Sequence, residues 1–401
     1  MKITGIVTEY NPFHLGHSLH LQKSIDDTNS DGVICIMSGN FIQRGGPALI
    51  DKWNRAIMAV KNGVDLVIEL PLIYSISSAE GFADGAIKIL NSTKIVDCLY
   101  FGSEHGDISD LITLSRSLSF EDISFKNNLN YELDRGLPFH KARENALSLL
   151  HPNINTKEIL SNSNNILAVE YLKALIKNNS NITPYTLKRT GASYNDSEIK
   201  SSFPSATAIR HQLSKHNNIT MLKNSLPLES YNYLDFLKKN NYEFVYPEDI
   251  FKYLKYKLLT EGDKLAQLPE IKEGLDNKIL KEVVHSNNLD ELIMRVKSKR
   301  YTYTRISRIL NSFFIGLENY PIKTLLKDDP KYIRPLAFNE KGSKILKEIK
   351  DKGNISIITK IPKHISDQTL EIDLLGTRAY SILNPLISPI DDYIKSPIFV
   401  K

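Results

Sequence analysis

The first thirty residues restrict the fold more than any other part of the chain. Ile3, Gly5, Ile6 and Val7 form a short apolar run of the kind that becomes a buried strand. Leu15, Leu19, Leu21 and Ile25 then recur at roughly helical spacing. Between them Asn11-Pro12-Phe13 demands a tight loop, so the segment reads strand, loop, helix, with the helix starting near His14. A helix start carries unpaired backbone N–H groups and a partial positive charge, which together favour an anion. His14 and His17, three residues apart, project from one side of the first turn. Gly16 between them leaves bare backbone against which a flat ring can lie. These features suit a nucleotide triphosphate. A His-x-x-His pair alone is more often a packing feature, and only this strand–loop–helix setting raises it to a candidate site. His14, His17 and His20 also stand at a spacing that metal ligands use. No carboxylate partner or cysteine pair accompanies them, so no metal centre is expected.

The pattern continues as a strand–helix alternation. Gly32 to Met37 reads as a second strand, followed by a turn-rich loop from Ser38 to Asp51 and a helix over 52–62. Val64 to Leu70 reads as a third strand closed by Pro71, and Ser77 or Ser78 can cap a helix to about Leu90. Asp97 to Phe101 is a fourth strand. Such alternation predicts an α/β fold, a Rossmann-like parallel sheet with helices on both faces. Ligands of such sheets bind beyond the carboxyl ends of the strands, where the 7–20 loop, the 38–45 loop and Gly102-Ser103-Glu104 all fall. Residues 107–180 read as mostly helical, with breaks near Gly136-Leu137-Pro138 and at 151–155. The polar cluster Asn162-Ser163-Asn164-Asn165 reads first as a helix N-cap. Thr183 to Lys188 is a fifth strand ending at Arg189, and 190–204 is turn-rich. Ser205 is a plausible cap for a helix opening Ser205-Ala206-Thr207-Ala208-Ile209-Arg210.

Beyond residue 215 the alternation stops. The expected organisation is a catalytic domain over 1–215 and a mostly helical C-terminal domain over 216–401, in which only Ile355 to Ile361 reads clearly as a strand. The proline-bearing tail (Pro385, Pro389, Pro397) is expected to pack irregularly. The net charge of +5 is uneven: residues 1–215 hold 21 Lys and Arg against 22 Asp and Glu, the rest 30 against 24. The surplus hints at a polyanion partner for the second half. Arg295, Lys297, Lys299, Arg300, Arg305 and Arg308 are interleaved there with Tyr301 and Tyr303, and no acid occurs between 292 and 308. Cations can hold phosphates and tyrosines can stack on unpaired bases, although a solvated helix face is the usual meaning of a charge run. No apolar run reaches the length of a membrane span, and MKITGIVTEY lacks the features of a signal peptide. Cys35 and Cys98, the only cysteines, sit in expected strands and read as core residues. A cytoplasmic location fits, and no obligate protein partner is evident.

Asn11-Pro12-Phe13-His14-Leu15-Gly16-His17 resembles the first signature of the HIGH-type nucleotidyltransferases. With 38–45 (SGNFIQRG), 64–71 (VDLVIELP), 101–104 (FGSE) and 299–302 (KRYT), the chain is similar to the bacterial tRNA(Met) cytidine acetate ligase family, in the family's order and over nearly its whole length. That resemblance implies adenylyl transfer. Acetate attacks the α-phosphorus of ATP to give acetyl-adenylate and pyrophosphate, and the acetyl group passes to N4 of the wobble cytidine of elongator tRNA(Met). It implies His14 and His17 as catalytic residues. It implies ATP contacts from Val7, Thr8, Glu9, Tyr10, Asn11, Pro12, Phe13, His14, Leu15, Gly16, His17, Ser18, Leu19 and His20, with Gly102, one of Asn164 and Asn165, Arg189, Ser205 and Thr207. The basic 295–308 segment is the implied tRNA contact. Magnesium is expected on the phosphates without a dedicated cage, acetyl-CoA is not required, and Arg44 or Lys52 is a candidate for holding a carboxylate or pyrophosphate. Two rivals stay open at this point: a small-molecule adenylyltransferase of the pantetheine-phosphate or nicotinamide-mononucleotide type, and an RNA-binding protein with a non-catalytic nucleotide fold.

Overall fold

The computed structural model describes residues 1–189 and 205–401. The 190–204 stretch, expected to be turn-rich, lies outside the described residues. Fifteen elements matter for the site. In chain order they are β1 (Ile3–Thr8), α1 (Leu15–Thr28), β2 (Gly32–Ser38), α2 (Lys52–Lys61), β3 (Leu66–Leu70), α3 (Ala79–Thr93), β4 (Cys98–Ser103), α4 (Ser163–Lys177), β5 (Thr183–Lys188), α5 (Ala206–His216), α6 (Leu289–Val296), α7 (Tyr303–Ile315), β6 (Pro335–Phe338), α8 (Gln368–Ser381) and β7 (Ile398–Phe399).

Seven strands among the described residues form one sheet in the order β7-β6-β3-β2-β1-β4-β5. The five strands of the first half are mutually parallel, as the alternation predicts. Their side chains explain the arrangement: Ile3, Ile6, Ile34, Ile36, Leu66 and Ile68 are all fully buried, and a strand covered on both faces needs apolar residues throughout. The chain runs outward from β1 through β2 to β3, then returns to lay β4 on the opposite side of β1. The order therefore reverses between β1 and β4, the place where open α/β sheets bind ligands. Cys35 and Cys98 are free and buried, and burial pushes the Cys35 thiol up to about 12, so it behaves as a core residue.

The second half departs from expectation at three points. Pro335–Phe338 joins the sheet as β6, antiparallel to β3, and Ile398–Phe399 adds β7 beside it. The sheet thus crosses the division expected at 215/216. The tail does not pack irregularly throughout: it forms a short helix at Asp391–Ile394 and then closes a sheet edge. Of the strand expected over 355–361, only Ser356–Ile357 is paired, with Tyr332–Ile333.

A buried charge cluster fastens this tail. Lys52 Nζ lies 2.8 Å from both Glu69 and Asp392, and Arg334 lies 3.2 Å from Glu69 and 2.9 Å from Asp392. Tyr332 donates its hydroxyl to Asp373 at 2.5 Å. Burial opposes ionisation of Asp392, but Lys52 and Arg334 outweigh it and hold the carboxyl below the usual range. Burial and the charge of Glu69 raise Asp373 instead. Lys52 is fully buried inside this cluster and has no route to a substrate carboxylate or pyrophosphate, correcting the role considered for it.

Candidate active site

The site is built from the loop after β1. Tyr10 adopts a left-handed backbone (φ 45°) and Asn11–Pro12 is cis, which turns the chain sharply into α1. Asn11 braces the turn: its Oδ1 accepts from Leu49 N–H at 2.8 Å and its carbonyl accepts from Arg210 Nη1 at 2.7 Å. Arg55, fully buried on α2, donates Nε to Ile50 O at 3.0 Å, Nη1 to Glu9 O at 2.6 Å and Nη2 to Gly39 O. One guanidinium thus pins the loop after β1 to both ends of the loop after β2, at the carboxyl edge of the sheet.

His14 is the N-cap of α1, and both histidines cap backbone groups. The Gly16 N–H donates to His14 Nδ1 at 3.1 Å, and the His14 N–H donates to His17 Nδ1 at 3.3 Å. An accepting Nδ1 cannot carry the proton, so neutral His14 is the Nε2–H tautomer, while the His17 ring also has the Pro12 carbonyl as a hydrogen-bond acceptor. The rings stack at 3.7 Å with 26° between their planes. Burial, then the charges of Arg189 and Arg210, lowers His14 to about 3. Burial, His14, Arg189 and His20 lower His17, and burial with Arg189 lowers His20 to about 4. Three neutral imidazoles therefore stand here at neutral pH. At Gly16 a Cβ would lie 2.9 Å from His14 Cε1, so the glycine makes room for the capping imidazole.

These groups open onto a cavity of about 550 Å³. Of the residues expected to contact ATP, Val7, Thr8, Glu9, Tyr10, Asn11, His14, Gly16, His17, His20, Gly102, Asn164, Arg189 and Ser205 line it. Pro12, Phe13, Leu15, Ser18, Leu19, Asn165 and Thr207 do not. Phe13 is fully buried and packs 4.6 Å from the Tyr10 ring and 5.7 Å from His17. His20 sits edge-on to Tyr100 at 5.2 Å. Thr207 accepts from Arg210 at 3.2 Å, and Ser205 caps α5 by accepting from Ala208 N–H at 3.0 Å.

The polar cluster before α4 divides its labour. Asn162 is the N-cap but makes no side-chain cap bond. Glu104, from the loop after β4, accepts instead from the N–H groups of Asn164 (3.3 Å) and Asn165 (2.8 Å), and from Asn164 Nδ2 at 2.6 Å. A carboxylate at a helix N-terminus satisfies orphan donors and opposes the helix dipole. Asn165 is buried and accepts from His105 N–H at 2.9 Å, which leaves Asn164 as the one of the pair that reaches the cavity.

The basic segment is only partly a free surface. Glu291 and Glu282 pair with Arg295, Glu273 with Arg300, and Glu270 with Arg305 and Arg308. These acids come from outside 292–308, which is why the local sequence lacks them. Tyr301 is 9% exposed, donates its hydroxyl to Lys272 O at 2.8 Å and lies under Arg305 at 4.6 Å, so its ring is committed to packing. Tyr303 remains part-exposed and donates to Asp290 at 3.0 Å. Lys297 and Lys299 point to solvent. Arg308 turns inward with Thr304 and forms part of the cavity wall. Gly45 fixes that junction: it has φ +81°, its carbonyl accepts from Ser307 and Asn311, and a Cβ would collide with Arg308 backbone. Thr304 and Arg308 were not expected in the cleft, nor were Phe82, Phe101 and Tyr171 on its apolar wall. Arg55 was also missed, though an arginine on the same helical stripe as Met58 and Ala59 was a visible signal.

Known proteins share this arrangement. The family model described as HIGH Nucleotidyl Transferase matches residues 1–392. A tRNA(Met) cytidine acetate ligase of Clostridium novyi is 49% identical, covering 100% of both chains, and one of Clostridium acetobutylicum is 45% identical over 100% of both. Crystal structures of Thermotoga maritima TmcAL, one apo and one bound with alpha-thio ATP, superpose with TM-scores of 0.92 and 0.89 at 33% identity over the full length of both chains. The chain belongs to the HIGH nucleotidyltransferase family and, within it, to the tRNA(Met) cytidine acetate ligases.

Proposed function

We propose that this protein activates acetate with ATP and transfers the acetyl group to N4 of the wobble cytidine of elongator tRNA(Met). The observation that carries the reading is the stacked pair of neutral imidazoles at the start of α1, both lining the cavity at the switch point of the sheet. Attack of acetate on the α-phosphorus builds negative charge on the phosphate oxygens and expels pyrophosphate. Fixed donors aimed at that charge lower the barrier without covalent help. Neutral rings can hold a stack 3.7 Å apart, whereas two imidazoliums at that distance would repel one another. Arg189 adds a cation at the same edge, and magnesium travels with the phosphates of ATP. The mixed anhydride supplies the activation for acyl transfer, so acetyl-CoA has no part. Thr304 and Arg308 support access by RNA, since they bring the basic segment to the cavity wall.

The test is pyrophosphate release from ATP, with and without acetate and with and without tRNA(Met). Acetate-dependent release that His14→Ala and His17→Ala abolish, with acetylated cytidine in recovered tRNA, is the expected result. Release that ignores acetate but responds to a phosphorylated small molecule would transfer the reading to the small-molecule adenylyltransferases. ATP binding without turnover would leave only an RNA-binding role.

A further inference from the structure

The cavity contains one carboxyl among groups that otherwise suit anions. ATP and acetate both carry negative charge, yet the Glu9 carboxyl lines the same space. Its position is set twice: Oε1 accepts from the backbone N–H of Gln43 at 3.1 Å, and its own carbonyl is held by Arg55 at 2.6 Å. Among the described residues no cation lies within ion-pair distance of it, and no group of three His, Cys, Asp or Glu side chains could hold a metal. The neighbouring wall is apolar, with Phe82, Phe101 and Tyr171 each no more than 5% exposed. A fixed carboxyl beside apolar rings, in a site for anions, is matched to a substrate that gives up a proton.

We propose that Glu9 is the general base of the acyl-transfer step, accepting the proton from the attacking amino group of the aminopyrimidine. This role rests on the ligase reading given above. The amine nitrogen forms a bond to the acetyl carbonyl carbon, the bond from that carbon to the adenylate oxygen breaks, and AMP leaves with the electron pair. The nitrogen must lose one proton to become an amide, and that proton passes to the Glu9 carboxylate and then to water. Burial raises Glu9 above the ordinary carboxylate range, with Arg44, Arg210, the Gln43 N–H and Arg55 opposing it, which brings its basicity closer to neutral pH.

The two half-reactions separate this role from nucleotide binding. Acetate-dependent exchange of pyrophosphate into ATP, without RNA, reports adenylate formation. Single-turnover acetylation of tRNA(Met) after incubation with ATP and acetate reports transfer. Glu9→Gln is expected to slow transfer by roughly 10²–10⁴-fold, at least an order of magnitude more than it slows exchange, and to erase the acid limb of the transfer pH profile. Glu9→Asp keeps a limb at reduced rate and guards against a folding defect in the first variant. Equal losses in both half-reactions, or an exchange defect repaired by excess magnesium, would overturn the proposal and make Glu9 a nucleotide or metal ligand. If the wild-type chain shows no acetate-dependent exchange, the ligase reading itself fails, and this role with it.

Discussion

Lys52 and Arg55 stand one turn apart on α2, both fully buried, and meet opposite fates. Lys52 enters a closed cluster in which two cations face Glu69 and Asp392, with Asp373 raised beside them. Among the described residues Arg55 pairs with no carboxylate, and it gives its donors to backbone carbonyls of two loops, one of which carries Glu9 into the cavity. The first centre cancels charge within itself and offers nothing to a ligand. The second leaves the loops beside it rigid and the neutral imidazoles of His14 and His17 aimed outward. Burial by itself therefore does not separate a structural polar group from a functional one in this chain; what each group's partners leave unsatisfied does.

That contrast can be broken in order of effect. Asp392→Asn strips the closed cluster of one anion and leaves Lys52 and Arg334 short of charge, an expected loss of about 3–5 kcal/mol in urea unfolding. A change below about 1 kcal/mol would mean that the cluster rearranges freely. His14→Ala and His17→Ala should each lower acetate-dependent pyrophosphate release by roughly 10²–10³-fold, about 2.7–4 kcal/mol of transition-state stabilisation. His14→Asn sharpens the point, since asparagine restores the cap to within about 1 kcal/mol of stability but lacks the Nε2 donor. Its activity should stay as low as that of the alanine variant.

The pH response follows from the depressed histidines. Unfolded histidine takes its proton near pH 6.5, whereas folded His14 and His20 resist until about 3 and about 4. The folded state therefore keeps its full stability above about pH 6.5 and loses it as the pH falls through the window below, where only the unfolded chain binds the proton. Adenylation should show no limb near pH 6.5, and a limb there, absent in His17→Ala, would mean an ionising imidazole. The smallest effect concerns the basic segment. Lys297→Ala and Lys299→Ala should each reduce the salt slope of tRNA affinity by about 1, while Tyr301→Phe leaves RNA binding unchanged and loses only the bond to Lys272 O.

Much of the histidine corner was legible in the sequence because its logic is local. A strand, a turn and a helix start lie within twenty residues, and in that setting the three-residue spacing of His14 and His17 puts both on the first turn of α1. The fold of the first half was legible for the same reason, since each parallel strand is a continuous apolar run. The strands β6 and β7 were not legible. They hold four and two residues, and one begins with Pro335, so no periodicity develops and only tertiary pairing makes them strands. The acids that neutralise 295–308 were invisible for a related reason: Glu270, Glu273 and Glu282 are remote in sequence and adjacent only after α6 and α7 pack. Glu104 replaced the expected asparagine cap by the same route, from a loop about sixty residues away.

The late position of β6 and β7 in the chain also has a consequence for synthesis. Lys52 and Glu69 leave the ribosome long before Arg334 and Asp392, and β3 lacks its outer neighbours until residues 335–338 and 398–399 arrive. A nascent chain of only the first half would hold one buried lysine against one glutamate beside an open sheet edge. Such an intermediate is poorly protected against pairing with other chains. The nucleotide corner is thus encoded first and made secure last. A fragment ending at residue 215 is expected to depend on chaperones or to aggregate, while the full chain released from the ribosome does not.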